Sequence, residues 1–209
     1  YLKEAVSYSL VDCSCRLHST YTEDEPCKKT LENGDIRVCM ALGPVGFGGM
    51  GSADRSTSLT YEEAVEFLKK TEKAGMVHSV MNTHGFPMFI CNCCECHCGI
   101  LKAAKETKNP RAVVKSNFLP RIDHEKCVLC EDCIEICPMD ALFRYFPRNE
   151  NLDDDHIQLI EEMCIGCGVC ATNCPAEAIA LVKVKNDVPA NDLFSFFAKS
   201  NESRIFSKE

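Results

Sequence analysis

The stretch CVLCEDCIEICP, residues 127–138, spaces four cysteines and a proline as C-x2-C-x2-C-x3-C-P. The same spacing returns in CIGCGVCATNCP, residues 164–175. Three cysteines stepped in this way let a tight loop curl around one iron–sulfur cubane, whereas the fourth lies too far along the loop and ligates a second cluster. The repeat therefore predicts two 4Fe–4S clusters and, with them, an electron carrier.

Each predicted cluster takes iron ligands from both copies of the motif. The first set is Cys127, Cys130, Cys133 and Cys174, and the second set is Cys164, Cys167, Cys170 and Cys137. Pro138 and Pro175 are expected to stop the short helix that carries the crossing cysteine. Zinc sites more often use two separated cysteine pairs, so this spacing disfavours zinc, and it disfavours a disulfide framework as well.

Residues from about 118 to 185 resemble a bacterial-type ferredoxin with two 4Fe–4S clusters. The resemblance rests on the two motifs and on the stretches MDALFRYF and AEAIALVKV that follow them. It implies a small pseudo-twofold domain in which a strand precedes each cluster loop, at 121–124 and 157–160. A helical turn then carries the fourth cysteine, and another strand follows. The polar connection at 147–156 is longer than a symmetric carrier needs, which indicates an exposed insertion.

Nine further cysteines lie upstream in two groups. The first group is Cys13, Cys15, Cys27 and Cys39, and the second is Cys91, Cys93, Cys94, Cys96 and Cys98. Thiols at this density favour soft metals. We predict a third iron–sulfur cluster on the first group and a fourth on a subset of the second. Zinc and dithiol exchange chemistry are the alternatives.

The geometry of the second group depends on the local backbone. In an extended chain Cys91 and Cys93 would share one side with His97, and the other three cysteines would take the opposite side. A loop would allow other groupings. This half of the chain loosely resembles uncharacterised cysteine-rich modules that are fused to ferredoxin domains in anaerobes.

The segment between the two groups reads as ordinary folded protein. Thr60 and Glu63 form a capping box at the start of a predicted helix, and Gly75 ends that helix. MVHSVMNT predicts a strand, and the glycine-rich loop 43–52 lacks a dinucleotide-binding pattern. The histidines at 78 and 84 are expected to be structural rather than metal ligands.

The acidic charge is concentrated in the C-terminal half. The chain has 209 residues and a net charge of −8, and residues 1–116 are balanced, so residues 117–209 account for the whole excess. This balance disfavours nucleic acid and favours a redox partner with a basic patch. No run is long enough to span a membrane, and no signal peptide is visible. Reduced thiols in a cytoplasm are therefore expected rather than disulfides. Four-thiolate clusters tolerate oxygen poorly, which predicts an anaerobic setting. Tyr1 rather than methionine begins the sequence, which leaves an upstream segment open.

We predict an α+β fold with three parts. These are a cysteine-rich α/β iron–sulfur module at 1–116, a pseudo-twofold two-cluster ferredoxin domain at 117–186, and a tail at 187–209. The tail contains the apolar segment NDLFSFFAKS, which either folds back on its own domain or docks on a larger subunit. A hetero-oligomer with a redox partner is expected.

The predicted function is an electron-transfer subunit that relays single electrons through several 4Fe–4S clusters to or from a partner oxidoreductase. No catalytic residue is needed for that role, and none is evident in the sequence. The alternative is an oxidoreductase with a catalytic, atypical cluster in the 91–98 motif. An iron with an open or non-cysteine position would favour the enzyme, because complete cysteine ligation leaves no site for substrate.

Overall fold

The computed structural model describes residues 1–22, 29, 31, 36–43, 56–83, 87–109, 113–146 and 155–191. Several predictions fall outside these residues. They concern Cys27, His84, most of the glycine-rich loop, the connection at 147–154 and the tail from residue 192.

The N-terminal part is built on an antiparallel sheet of five strands. The strands are β1 (Tyr8–Val11), β2 (Cys39–Leu42), β3 (Thr57–Leu59), β4 (Val77–Ser79) and β5 (Phe89–Cys93). Their order across the sheet is β3-β1-β2-β5-β4. Strand β4 lies within MVHSVMNT, so the predicted strand is confirmed. Side chains alternate across the sheet, so Ile90 and Asn92 of β5 are buried on one face while Cys91 and Cys93 project from the other.

Helices cover the sheet and lead out of it. They are α1 (Ser14–Thr22), α2 (Tyr61–Lys73) and α3 (Gly99–Glu106), preceded by a short 3₁₀ turn at Leu2–Glu4. The predicted capping box is confirmed, because the Glu63 amide donates to Thr60 Oγ1 at 3.2 Å and the Thr60 amide donates to Glu63 Oε2 at 2.8 Å. Helix α2 packs Ala64 against Met40 and Ile90, so it covers the sheet face opposite Cys91.

The C-terminal part consists of two antiparallel strand pairs and two short helices. Strand β6 (Phe118–Ile122) pairs with β9 (Ile179–Lys183), and β7 (Leu142–Tyr145) pairs with β8 (His156–Leu159). Helices α4 (Asp132–Glu135) and α5 (Val169–Thr172) contact each other. The fold thus mixes helices with antiparallel sheets, as the α+β class predicts.

The short helices differ from the prediction in one respect. Each carries the third cysteine of its motif, Cys133 or Cys170, and ends before the fourth, Cys137 or Cys174. The reason is the proline that follows the fourth cysteine, because its ring disfavours the helical conformation of the residue before it.

The two parts share a hydrophobic core. Val77, Leu101 and Ala104 from the N-terminal part pack in one cluster with Met139 and Ile165 from the C-terminal part. Polar contacts cross the same boundary: Lys105 pairs with Asp140 at 2.9 Å, and Thr172 donates to Glu72 at 2.8 Å. The shared core places the N-terminal cysteines next to the C-terminal motifs.

Gly166 permits the tightest backbone approach in the second cysteine loop. Its φ is +69°, and a Cβ there would lie 2.1 Å from the carbonyl oxygen of Phe118. We expect Gly166→Ala to destabilise the protein by about 3 kcal/mol or more, because left-handed strain adds to a backbone clash. Thermal unfolding of the holoprotein measures the effect. Gly99→Ala is the control, since a Cβ at Gly99 meets no atom within 4 Å; equal melting temperatures for the two variants would contradict the prediction.

Candidate metal centres

The first cysteine cavity is bounded by both motifs. It lies between β6, α4 and the end of α5. Its sulfur-bearing lining residues are Cys127, Cys130, Cys133 and Cys174. The rest of the lining is largely apolar and includes Ile122, Ile157 and Ile179. The structure therefore brings three cysteines of the first motif together with the fourth of the second, which is the grouping the spacing predicts.

The second cavity has the reciprocal composition. It is lined by Cys137, Cys164, Cys167 and Cys170. Met139, Leu142 and Ile165 supply apolar walls. Two cavities that are each lined by four cysteine sulfurs fit two four-thiolate clusters of the same kind.

Backbone amides are aimed at sulfur in both cavities. The amides of Ala141, Gly166 and Ala178 each donate to a cysteine sulfur at 3.3 Å; the acceptors are Cys137, Cys164 and Cys174. Such donors stabilise the thiolate charge that iron ligation requires and tune the reduction potential of a cluster.

Left-handed residues shape the two loops in the same way. Gly166 and Gly168 have positive φ in the second loop, and Leu129 and Glu131 have positive φ at the matching positions of the first. Glycines signal this geometry in the second motif only, so the sequence did not reveal it in the first. A non-glycine residue in the left-handed conformation costs free energy, so it persists only where the surrounding structure enforces it. Such residues cluster at functional sites.

Burial disfavours the thiolate form of three of the cysteines that line the two cavities. It raises the pKa of Cys133 and of Cys167 to about 11 and the pKa of Cys170 to about 12. These sulfurs therefore hold their protons at neutral pH until a cation replaces them. A soft, positively charged iron core is a fitting replacement for several such protons at once.

The N-terminal cysteines form a continuous chain of sulfurs. Its order is Cys13, Cys39, Cys91, Cys93 and Cys98, with a hydrogen bond between each neighbouring pair of side chains. The sheet explains the chain: Cys39 begins β2, which lies next to β5, and both Cys91 and Cys93 project from the face that α2 leaves uncovered. Cys13 follows β1, and Cys98 precedes α3.

The shifts in cysteine pKa alternate in direction along this chain. A hydrogen bond from Cys39 lowers the pKa of Cys13 to about 6 and that of Cys91 to about 3, and one from Cys93 lowers the pKa of Cys98 to about 6. The pKa values of Cys39 and Cys93 are raised by the same bonds. One S–H can donate only one bond at a time, so two thiols cannot serve all four links. Soft cations would satisfy all five sulfurs together.

The structure combines two groups that the sequence analysis assigned to separate clusters. Cys13 and Cys39 from the first group join Cys91, Cys93 and Cys98 from the second. Cys15 is exposed, yet it lies near this chain. Partial burial raises its pKa, and the nearby charges of Cys13, Cys98 and Cys91 raise it further. Cys27 lies outside the described residues. Nothing in the local sequence could reveal the contact of Cys39 with Cys91, because it depends on strand neighbours.

The remaining members of the second group lie in a turn. The chain bends after Cys93, and the Cys98 amide donates to the Cys94 carbonyl oxygen at 3.0 Å. Cys94, Cys96 and His97 come together, with their ligand atoms all within 4.8 Å of one another. An extended chain would have put His97 with Cys91 and Cys93, so the turn produces the different grouping. His78, in contrast, contacts Thr71 Oγ1 at 3.3 Å, as a structural histidine would.

Known proteins resemble the C-terminal part. Residues 126–178 match the model of the 4Fe–4S dicluster domain. The pyruvate synthase subunit PorD of Methanothermobacter marburgensis is 34% identical over 68 residues, which are 32% of this chain and 70% of the relative. The chain belongs to the 4Fe–4S dicluster family. Residues 126–178, the dicluster domain, hold two 4Fe–4S clusters.

Other relatives are also similar to part of this chain. The PorD subunit of Methanocaldococcus jannaschii is 38% identical over 66 residues, which are 32% of this chain and 69% of the relative. The electron transport protein HydN of Escherichia coli K12 is 30% identical over 103 residues, which are 44% of this chain and 53% of the relative. In the part of the chain that the structure describes, no helix has the length and apolar character to cross a membrane.

Proposed function

We propose that this protein is an electron-transfer subunit that relays single electrons through several iron–sulfur clusters to or from a partner oxidoreductase. The names of its relatives support the role, because they are a pyruvate synthase subunit and an electron transport protein. Bound 4Fe–4S clusters supply one-electron redox chemistry. The chain supplies the ligands, the burial and the hydrogen bonds that set the potentials.

The observation that carries the proposal is the linear succession of sulfur sites. Cys93 and Cys98, at one end of the N-terminal sulfur chain, pack in the same core cluster as Cys164 and Cys167 of the second cavity. The second cavity in turn adjoins the first, because Cys133 and Cys170 share another core cluster. Adjacent sites in this order suit stepwise transfer from one end of the molecule to the other.

Four finer assignments belong to this proposal. The ligand sets are those of the two cavities, with Cys137 and Cys174 as the crossing ligands. The dicluster domain is pseudo-twofold, and the matching left-handed positions in the two loops support that symmetry. The N-terminal sulfur chain holds a further iron–sulfur cluster. The chain divides into an iron–sulfur module at 1–116, the two-cluster ferredoxin domain at 117–186 and a tail at 187–209.

The partner is expected to present a basic patch and to form a hetero-oligomer with this chain. Cys130 is exposed at the rim of the first cavity, and Glu125, Glu131 and Asp132 around it are exposed as well. Opposite charge on a partner would steer docking to this rim. A cytoplasmic, anaerobic location stays a prediction that rests on the thiol content.

A catalytic role for the N-terminal sulfur chain is the second candidate. The observation in its favour is the supply of sulfurs, since five linked cysteines and the exposed Cys15 exceed the four that a cubane takes. X-ray absorption and Mössbauer spectroscopy of the holoprotein discriminate the two roles. Iron with only sulfur neighbours supports the relay, and iron with an open or oxygen-ligated position supports the enzyme.

The relay itself is tested by electron passage. Anaerobically prepared protein is reduced with methyl viologen radical and then offered oxidised cytochrome c, while paramagnetic resonance follows each cluster. The relay requires that every cluster take up one electron and release it to the acceptor. Clusters that stay oxidised under excess viologen radical, or that retain their electrons, would rule the relay out.

A further inference from the structure

We propose that Cys94, Cys96 and His97 form a separate mononuclear site for a single Zn²⁺ ion. The site goes beyond the electron relay and uses none of the five cysteines of the N-terminal sulfur chain. Its ligand atoms are the sulfurs of Cys94 and Cys96 and a ring nitrogen of His97, all within 4.8 Å of one another.

The spacing of these atoms suits one ion rather than a cubane. A tetrahedral ion with metal–sulfur bonds of about 2.3 Å and metal–nitrogen bonds of about 2.0 Å holds its ligand atoms about 3.5 to 3.8 Å apart. The three atoms of this triad lie within 4.8 Å of one another, which is close to that distance. A cubane takes four thiolates, whereas this triad offers two thiolates and one imidazole.

The donor set selects the metal. Two sulfurs and one imidazole nitrogen in a tetrahedral arrangement are typical of zinc, whereas calcium and magnesium prefer oxygen ligands. Among the residues that the structure describes, no fourth cysteine, histidine or carboxylate joins the triad. Three protein ligands leave the fourth position to water or another exogenous donor, as in zinc sites with an open position.

The triad is held in place before any ion binds. Cys94 is 1% exposed and His97 is 9% exposed, so both ligands are packed by their surroundings. The turn that carries them is closed by the bond from the Cys98 amide to the Cys94 carbonyl oxygen at 3.0 Å. Glu95 within the turn pairs with Lys29 at 2.9 Å, and Lys29 also donates to the Ile136 carbonyl oxygen at 3.2 Å. Pre-positioned ligands lower the conformational cost of metal binding.

The neighbouring residues explain why the two sites stay distinct. Cys93 and Cys94 are adjacent, but strand β5 ends between them, at Cys93. Cys93 is therefore directed by the sheet and Cys94 by the turn. Adjacent cysteines with different directions serve two sites more easily than one. This inference assigns Cys94 and Cys96 to zinc, in place of the fourth iron–sulfur cluster that the sequence predicted.

Metal analysis of the full chain tests the site. Protein is prepared anaerobically from cells supplied with both iron and zinc, and both metals are quantified per chain. We expect about one zinc per chain, with a zinc X-ray absorption spectrum of two sulfurs and one nitrogen. His97→Ala and Cys96→Ser should each lose that zinc while the iron content and the paramagnetic signals stay unchanged. His18→Ala, an exposed histidine on α1, is the matched control and should keep zinc and iron.

Two results would overturn the inference. One is wild-type protein with almost no zinc, or with zinc surrounded by four sulfurs. The other is a loss of iron in His97→Ala, which would place the triad in an iron–sulfur centre. The wild-type spectrum decides the question even if a variant fails to fold. Iron-dependent electron passage is measured on the same samples, so failure of the zinc site and failure of the relay are told apart.

Discussion

Cys91→Ser is expected to lower the iron content from about twelve atoms per chain to about eight, the amount that two cubanes contain. Cys91 is the central sulfur of the N-terminal chain and contacts both Cys39 and Cys93. Its pKa is lowered to about 3, chiefly by the hydrogen bond from Cys39 and then by that from Cys93, which favours the thiolate that iron ligation requires. A serine hydroxyl stays protonated at neutral pH and cannot replace a soft thiolate ligand.

Chemical iron analysis and paramagnetic resonance of the reduced protein measure this loss. The signals of the dicluster domain should persist, because the cysteines of its two cavities are untouched. Ser79→Ala is the matched control, since Ser79 lies directly opposite Cys91 in the β4–β5 pair. Wild-type protein with eight irons or fewer would mean that the N-terminal sulfurs hold something other than an iron–sulfur cluster.

Cys130→Ala should remove one cluster, about four irons, and reduce electron passage to background. The variant deprives the first cavity of one of its four sulfurs, and that cavity is the terminal site of the proposed relay. Binding of the partner should be spared, because the acidic rim and the fold of the domain remain. Iron analysis, transfer from viologen radical to cytochrome c, and a binding assay with the partner measure the three effects.

Three further variants sharpen this test. Cys174→Ala should remove the same cluster as Cys130→Ala, because the first cavity takes Cys174 from the second motif. If each motif instead held its own cluster, Cys174→Ala would match Cys167→Ala. Val128→Ala is the control, since Val128 is 66% exposed in the same loop and carries no sulfur. Unchanged iron content and activity in Cys130→Ala would contradict the assignment.

Motif spacing carried the prediction of the dicluster domain. Local contacts decide that geometry: Cys127 and Cys130 share one loop, Cys133 lies on the short helix α4 that follows it, and the fourth cysteine comes just after that helix. The capping box at Thr60 and the strand at β4 were predictable for the same reason, because the interacting residues are near neighbours in the chain.

Two backbone features of the first motif differ from what its residue types predict. The left-handed conformation of Glu131 has no glycine to announce it, and the loop around the cavity imposes it. The sequence predicts a helical turn that carries Cys137, whereas α4 ends at Glu135. Pro138 explains the earlier end, because its ring disfavours the helical conformation of the residue before it.

By itself, the sequence determined that this protein carries two cubanes and an excess of acidic charge near its C-terminus, because covalent spacing and composition need no fold to be read. Only the tertiary structure decided which upstream cysteines meet. Cys39 and Cys91 become neighbours because β2 and β5 are adjacent in the sheet, and Cys94 leaves Cys93 because the chain turns where the strand ends. Strand order and turn geometry are products of packing between distant segments, so no local pattern of residues encodes them.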